Sequence, residues 1–191
     1  MSSLTLDPAT TALVLIDLQR GIVGPPTVPH SATEVVARAV LLARRFRERR
    51  APVVLVHVDP GASGELFPQP TLDTLPVARS NADGWTTIVE ELGPEPGDIV
   101  VTKHQPSAFY GTDLDLHLRR RGIRTIVLGG ISTNVGVEAT ARAAHERGYD
   151  QIFVENAMAA REVDLHTFPV TRTFPTLGRV RSTEQVLDAL A

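Results

Sequence analysis

Asp17 and Lys103 hold matching positions, each following an apolar, strand-like run, and each is of a type that can hold or move a proton. Asp17 follows Ala12-Leu13-Val14-Leu15-Ile16, and Lys103 follows Asp98-Ile99-Val100-Val101-Thr102. A carboxylate at the carboxyl end of a buried strand is costly to desolvate without a partner. Two strand-tip charges of opposite sign, facing the ligand side of one sheet, could pair and set each other's protonation. The plainer readings are a loop aspartate bonded to nearby backbone N–H groups and an exposed loop lysine. A third stretch, Gly129-Gly130-Ile131-Ser132-Thr133-Asn134-Val135-Gly136-Val137, follows the apolar run Thr125–Leu128. After Asn134, the residues Val135, Ala139, Arg142, Ala143 and Glu146 recur at helical spacing. Strand, glycine turn and helix N-terminus together are where open α/β sheets hold ligands, and the free N–H groups there favour negative charge. Thr133 and Asn134 are natural N-caps for that helix. A plain strand-to-helix corner would read the same way, since glycine turns punctuate every such fold.

The chain has no cysteine, which removes disulfides, thiolate metal sites and cysteine nucleophiles from consideration. His57, near the end of the run Pro52–Val58, has no second histidine at a metal-like spacing. It reads as a packed or loop-bonded side chain, so no metal is assigned and no cofactor is expected.

Alternating elements must position these residues. Strands are expected at 12–16, 52–58, 98–102, 125–128, 151–154 and 178–181. Helices are expected at about 32–48, 85–92, 113–121, 134–147, 162–171 and 184–190. Ser31 or Thr33 can cap the first helix, whose apolar face carries Val35, Val36, Ala39, Leu42, Ala43 and Phe46. Ser182 or Thr183, with Glu184 and Gln185, caps the last. The order predicts one α/β domain over residues 1–191, a three-layer α/β/α sandwich around a Rossmann-like six-stranded parallel sheet. Residues 20–30 are an irregular loop dense in glycine and proline. Residues 59–83 form the longest stretch without periodicity, of the kind that serves as a lid or mobile segment, with Gln69 and Arg79 as its candidate anion-binding side chains.

Composition narrows the partners. The 191 residues are 42% hydrophobic and 21% charged, with a net charge of −3. Interspersed charges of that balance give no electrostatic case for nucleic acid or an anionic membrane. The basic run Arg44–Arg50 ends a helix, where cations complement the dipole and a solvated face is expected. No apolar run approaches a membrane span and no signal-like N-terminus is visible, so a cytoplasmic protein is expected.

Asp17 in Leu15-Ile16-Asp17-Leu18-Gln19, Lys103 in Thr102-Lys103-His104-Gln105-Pro106-Ser107-Ala108-Phe109, and Gly130 to Thr140 together resemble the isochorismatase-like hydrolases. That superfamily includes nicotinamidases, N-carbamoylsarcosine amidases and isochorismatases. The resemblance runs from about Thr10 to the end, through Phe174-Pro175-Thr176-Leu177-Gly178-Arg179. In the amidase branches an aspartate, a lysine and a nucleophilic cysteine form the catalytic set. The resemblance places a non-proline cis peptide at Ile131–Ser132, with turn N–H groups forming an oxyanion hole. The cysteine position falls on Gly136. Isochorismatases, which cleave a vinyl ether by general acid catalysis, can carry glycine there.

The resemblance therefore implies Asp17 as proton donor, its pKa raised by burial, and Lys103 as the residue that orients the substrate or its carboxylate. Gly136, Ile131, Ser132, Val135, Gln19 and Phe109 are the expected substrate-binding residues. The text Ser132-Thr133-Asn134-Val135, followed after Gly136 by Val137-Glu138-Ala139-Thr140, is closer to the cysteine amidases. Isochorismatases tend to have an aromatic residue and a histidine there. The alternatives are a catalytically silent ligand-binding member and an amidase-derived hydrolase that uses activated water. The expected partners are a small-molecule substrate, carboxylate-bearing in the leading reading, and further copies of the chain in a homo-oligomer, a dimer or tetramer.

Overall fold

The computed structural model describes residues 4–61, 71, 73 and 84–190. Gln69 and Arg79 lie outside the described residues, as does most of the 59–83 stretch. Six strands form one parallel sheet: β1 Thr11–Ile16, β2 Val53–Val58, β3 Ile99–Lys103, β4 Thr125–Ile131, β5 Asp150–Ala159 and β6 Arg179–Arg181. Their order is β3-β2-β1-β4-β5-β6. Every residue of β1 is buried, as a strand covered on both faces requires. Its period of two sends Leu13 and Leu15 to one face of the sheet and Ala12, Val14 and Ile16 to the other.

The first face packs under α2 Ala32–Glu48 and α7 Thr183–Ala189. The second packs under α3 Leu114–Arg120, α4 Glu138–Glu146 and α6 Phe174–Leu177. The result is the expected three-layer sandwich. Helix α2 starts where its capping residues put it: Ser31 Oγ accepts from Glu34 N, and Ser31 N donates to Glu34 Oε2. Its buried stripe is Val35, Val36, Ala39, Leu42, Ala43 and Phe46. Ser182 and Gln185 form the same reciprocal cap on α7.

The chain departs from its local signals in five places. Residues 85–92 form turns, not a helix. Their backbone pairs instead with the segment leaving β1, through Arg20 N to Thr87 O, Gly21 N to Trp85 O and Val89 N to Leu18 O. The β-branched run Thr86-Thr87-Ile88-Val89 suits that extended pairing. Strand β5 runs on past Val154 to Ala159 through a register shift against β4 between Leu128 and Gly130. The expected 162–171 helix is split: α5 covers Val163–Phe168, a π-helical turn Pro169–Thr173 follows, and α6 takes over. Pro169, which has no N–H to donate, sits at the break. A short helix, α1 Arg20–Val23, occupies the start of the 20–30 loop. Finally, Arg47 is not simply solvated, because its guanidinium holds Asp98 at 2.6 Å, Glu95 at 2.7 Å and the Leu92 carbonyl.

The order of strands matters most for the site. From β1 the chain steps outward to β2 and β3, then returns to place β4 on the other side of β1. The carboxyl ends of β1 and β4 therefore border the crevice where the winding reverses.

Candidate active site

Strand β1 ends at Ile16, paired with Gly130 of β4. That approach is so close that a Cβ on Gly130 would lie 2.1 Å from the Ile16 carbonyl oxygen, and its φ is +129°. Glycine is required there on both counts. Immediately beyond, Asp17 takes a left-handed backbone, φ 55°, while its N–H donates to Val56 O at 2.8 Å. Non-glycine residues seldom adopt that conformation, which costs of order 1–3 kcal/mol and is concentrated at functional sites. The bend turns the carboxylate out of the sheet line and into the crevice.

Lys103 arrives from two strands away. Its side chain crosses the end of β2, and Nζ lies 2.8 Å from Asp17 Oδ2 and 2.9 Å from the Pro106 carbonyl oxygen, to which it donates. Asp17 is 5% exposed and Lys103 2%. The strand-tip pair expected from the sequence is thus a buried ion pair.

The third wall is the turn after β4. The Ile131–Ser132 peptide is cis, as the resemblance placed it. The helix that follows opens with a π-helical turn, Thr133–Val137, before α4. Such turns are rare and recur at functional sites. Thr133 and Asn134 do not cap it: the N-cap position is Ser132, whose Oγ donates to Asn134 Oδ1 at 3.0 Å, and Thr133 Oγ1 contacts His166 Nδ1 at 2.9 Å. Gly136 faces the ion pair. A Cβ built there would lie 2.9 Å from Asp17 Oδ2, 2.8 Å from Ile16 Cγ2 and 3.5 Å from Lys103 Nζ. The Asp17 carboxylate therefore rests against the backbone of residue 136, and a side chain there would require the carboxylate or Ile16 Cγ2 to shift.

These groups line a cavity of about 750 Å³ whose wall includes Asp17, Lys103, Ile131, Ser132, Val135 and Gly136. Two expected residues lie elsewhere. Gln19 is fully buried, and its amide is spent on structure: Nε2 donates to Val58 O and Trp85 O, and Oε1 accepts from Val58 N. Phe109 packs in the core, stacked on Tyr149 with ring centroids 5.8 Å apart. His57 is bonded to Thr102 Oγ1 and Thr86 O, in keeping with its plainer reading.

The cavity also takes in Trp85, Pro25, Leu165 and Arg161, which sequence reasoning did not single out. Arg161 Nη1 donates to the Pro25 and Pro26 carbonyls and Nη2 to that of Ile22. Burial lowers its pKa, but a guanidinium stays charged at neutral pH. No carboxylate pairs with it among the described residues. Its signal was its place just beyond the carboxyl end of β5, the counterpart of Asp17 and Lys103, hidden because that strand reads as ending at Val154.

Against the back of the turn, outside the cavity wall, His30, Glu155 and His166 come together from three distant parts of the chain. His166 is 4% exposed, and burial, helped by His30, holds its pKa down to about 4. It is a neutral imidazole at physiological pH.

The isochorismatase domain model matches residues 11–185, which take in all six strands and the whole site. The chain is 47% identical over 188 residues to the uncharacterized isochorismatase family protein YecD of Escherichia coli O157:H7, covering 98% of this chain and 100% of that one. It is 33% identical over 179 residues to the ureidoacrylate amidohydrolase RutB of Methylobacterium radiotolerans, covering 81% of this chain and 69% of that protein. An isochorismatase family protein from Burkholderia thailandensis superposes with a TM-score of 0.94 at 46% identity, over 99% of both chains. A parallel sheet reversing at β1, charged residues at the tips of β1 and β3, and a family match running through every strand have one explanation: the chain belongs to the isochorismatase family of hydrolases.

Proposed function

We propose that this hydrolase works without a side-chain nucleophile, with Asp17 exchanging a proton directly with the substrate and water supplying the oxygen. The observation that carries this reading is the contact at Gly136. The resemblance puts a cysteine nucleophile at this position, but here a Cβ would already lie 2.9 Å from Asp17 Oδ2. The carboxylate is brought up to the substrate itself.

Vinyl-ether hydrolysis fits that geometry. On this route Asp17, ion-paired with Lys103 at rest, takes up a proton in the substrate complex, and its carboxyl gives that proton to the terminal enol-ether carbon, leaving an oxocarbenium ion. Water adds to the cationic carbon, and the hemiketal breaks to an alcohol and a ketone. The proton lost from water restores the Asp17 carboxyl. Lys103 Nζ, 2.8 Å away, stabilises the carboxylate formed as the proton leaves. The substrate is anionic in this reading, with Arg161 at the cavity wall as the cation that meets its carboxylate.

A second reading is C–N hydrolysis by activated water. Two observations favour it: the 33% identity to a ureidoacrylate amidohydrolase, and the ammonium at 2.8 Å, which favours the ionised carboxylate a base requires. Turnover of isochorismate, measured beside primary amides and ureido acids, separates the two. Isochorismate turnover that falls at least ~100-fold in Asp17→Asn, with folding intact, is the expected result for general acid catalysis. Turnover of the C–N substrates alone favours the second. Silence on all of them, from folded protein that still binds a carboxylate ligand, leaves a non-catalytic binding protein.

A further inference from the structure

We propose that His30, Glu155 and His166 form a zinc-binding site, separate from the Asp17–Lys103 cavity. One ligand atom from each lies within 4.8 Å of those of the other two. His30 Nε2 is 3.8 Å from Glu155 Oε2, and the His30 and His166 rings meet edge to face with centroids 5.9 Å apart. Two imidazoles and one carboxylate are a zinc donor set, and they leave a fourth position for water. Bond lengths of about 2.0–2.2 Å to zinc require the three donors to draw in. The His30 and Glu155 side chains are 22% and 36% exposed, which leaves them room to turn.

The surroundings prepare the site for a cation. His166 Nδ1 is engaged by Thr133 Oγ1 at 2.9 Å, so Nε2 is the nitrogen left to ligate. Fixing one ring nitrogen by a hydrogen bond is how metal-binding histidines are oriented. The loop that carries His30 is held on both sides. Val28 N donates to Ala160 O and Ala160 N to Val28 O, each at 2.9 Å, and Thr27 Oγ1 donates to the His30 carbonyl oxygen at 2.8 Å. The three donors therefore come from a pinned loop, from the irregular part of β5 and from α5.

The ion would tie those segments together. Through His166 and Thr133 it would also brace the turn that presents Gly136 to the cavity, so its role is to position that turn and not to touch substrate.

The test uses the full chain after chelator treatment, titrated with Zn2+ by calorimetry and by thermal unfolding. One equivalent binds at micromolar affinity or tighter, raising Tm. His30→Ala and Glu155→Gln, each checked for a native far-ultraviolet spectrum, weaken binding at least ~10-fold, while the exposed-histidine control His145→Ala does not. Co2+ in place of Zn2+ gives visible ligand-field bands that both variants abolish. Binding no tighter than ~100 μM, or tight binding that both variants leave unchanged, overturns the proposal and leaves an ion pair beside a ring contact.

Discussion

At the scale of single residues, the site is governed by what a buried charge tolerates. Asp17 and Lys103 are almost fully enclosed, so each is expensive to leave without the other. Lys103→Met is therefore expected to cost about 3–5 kcal/mol in urea unfolding. Adding Asp17→Asn should recover part of that loss, because the stranded carboxylate is then gone. Simple additivity of the two changes would show that the pair is not energetically coupled. Gly136 responds to volume. Gly136→Ala introduces a methyl 2.8 Å from Ile16 Cγ2 and 2.9 Å from Asp17 Oδ2. It is expected to lower stability by about 1–3 kcal/mol and to reduce turnover by displacing the carboxylate. Undiminished turnover in Gly136→Ala would mean that the carboxylate's position does not matter.

At the scale of elements, each site residue depends on how a strand ends. Asp17 is aimed by a left-handed bend after β1, and the turn after β4 is held close by Gly130. Arg161 works in the same way after β5, clamping the loop over Ile22, Pro25 and Pro26 while facing the cavity. If it also meets a substrate carboxylate, Arg161→Lys should raise KM for an anionic substrate several-fold with kcat little changed, because lysine lacks the fork. An equal fall in kcat would instead mark the loop as what was lost. By contrast, the cap residues of α2 do not line the Asp17–Lys103 cavity. Ser31→Ala removes a reciprocal cap and should cost about 1 kcal/mol in unfolding while leaving kinetics unchanged.

At the scale of the whole molecule, one sheet carries both the stability and the site. Its interior strands bury apolar residues on both faces, and its ligand crevice is the place where the winding reverses. No helix among the described residues is long and apolar enough to cross a membrane. We propose that the chain assembles with copies of itself, as the family resemblance implies. Val163 and Phe168 on α5, 57% and 63% exposed, are apolar surface that such a contact could cover. Sedimentation equilibrium is expected to give a multiple of the 20.7 kDa chain mass, and a monomer at micromolar concentration would count against it.

The sequence by itself determined the strand cores, the helix α2 with its cap, and the candidate roles of Asp17, Lys103 and the Gly130–Gly136 turn. These are local matters: an apolar run, a periodicity and a capping pair are written in neighbouring residues. Only the tertiary structure decided what met what. It brought Lys103 past β2 to Asp17, and it sent the Gln19 amide and the Phe109 ring into structural contacts, where the motif text alone suggested the substrate. It drew residues 85–89 into extended pairing with the segment after β1, because those distant carbonyls and N–H groups had to be satisfied. It also carried β5 beyond its apolar run, which placed Arg161 at the cavity and Glu155 beside His30 and His166. No spacing along the chain encodes such meetings, because they arise from strand order and side-chain reach across the sheet.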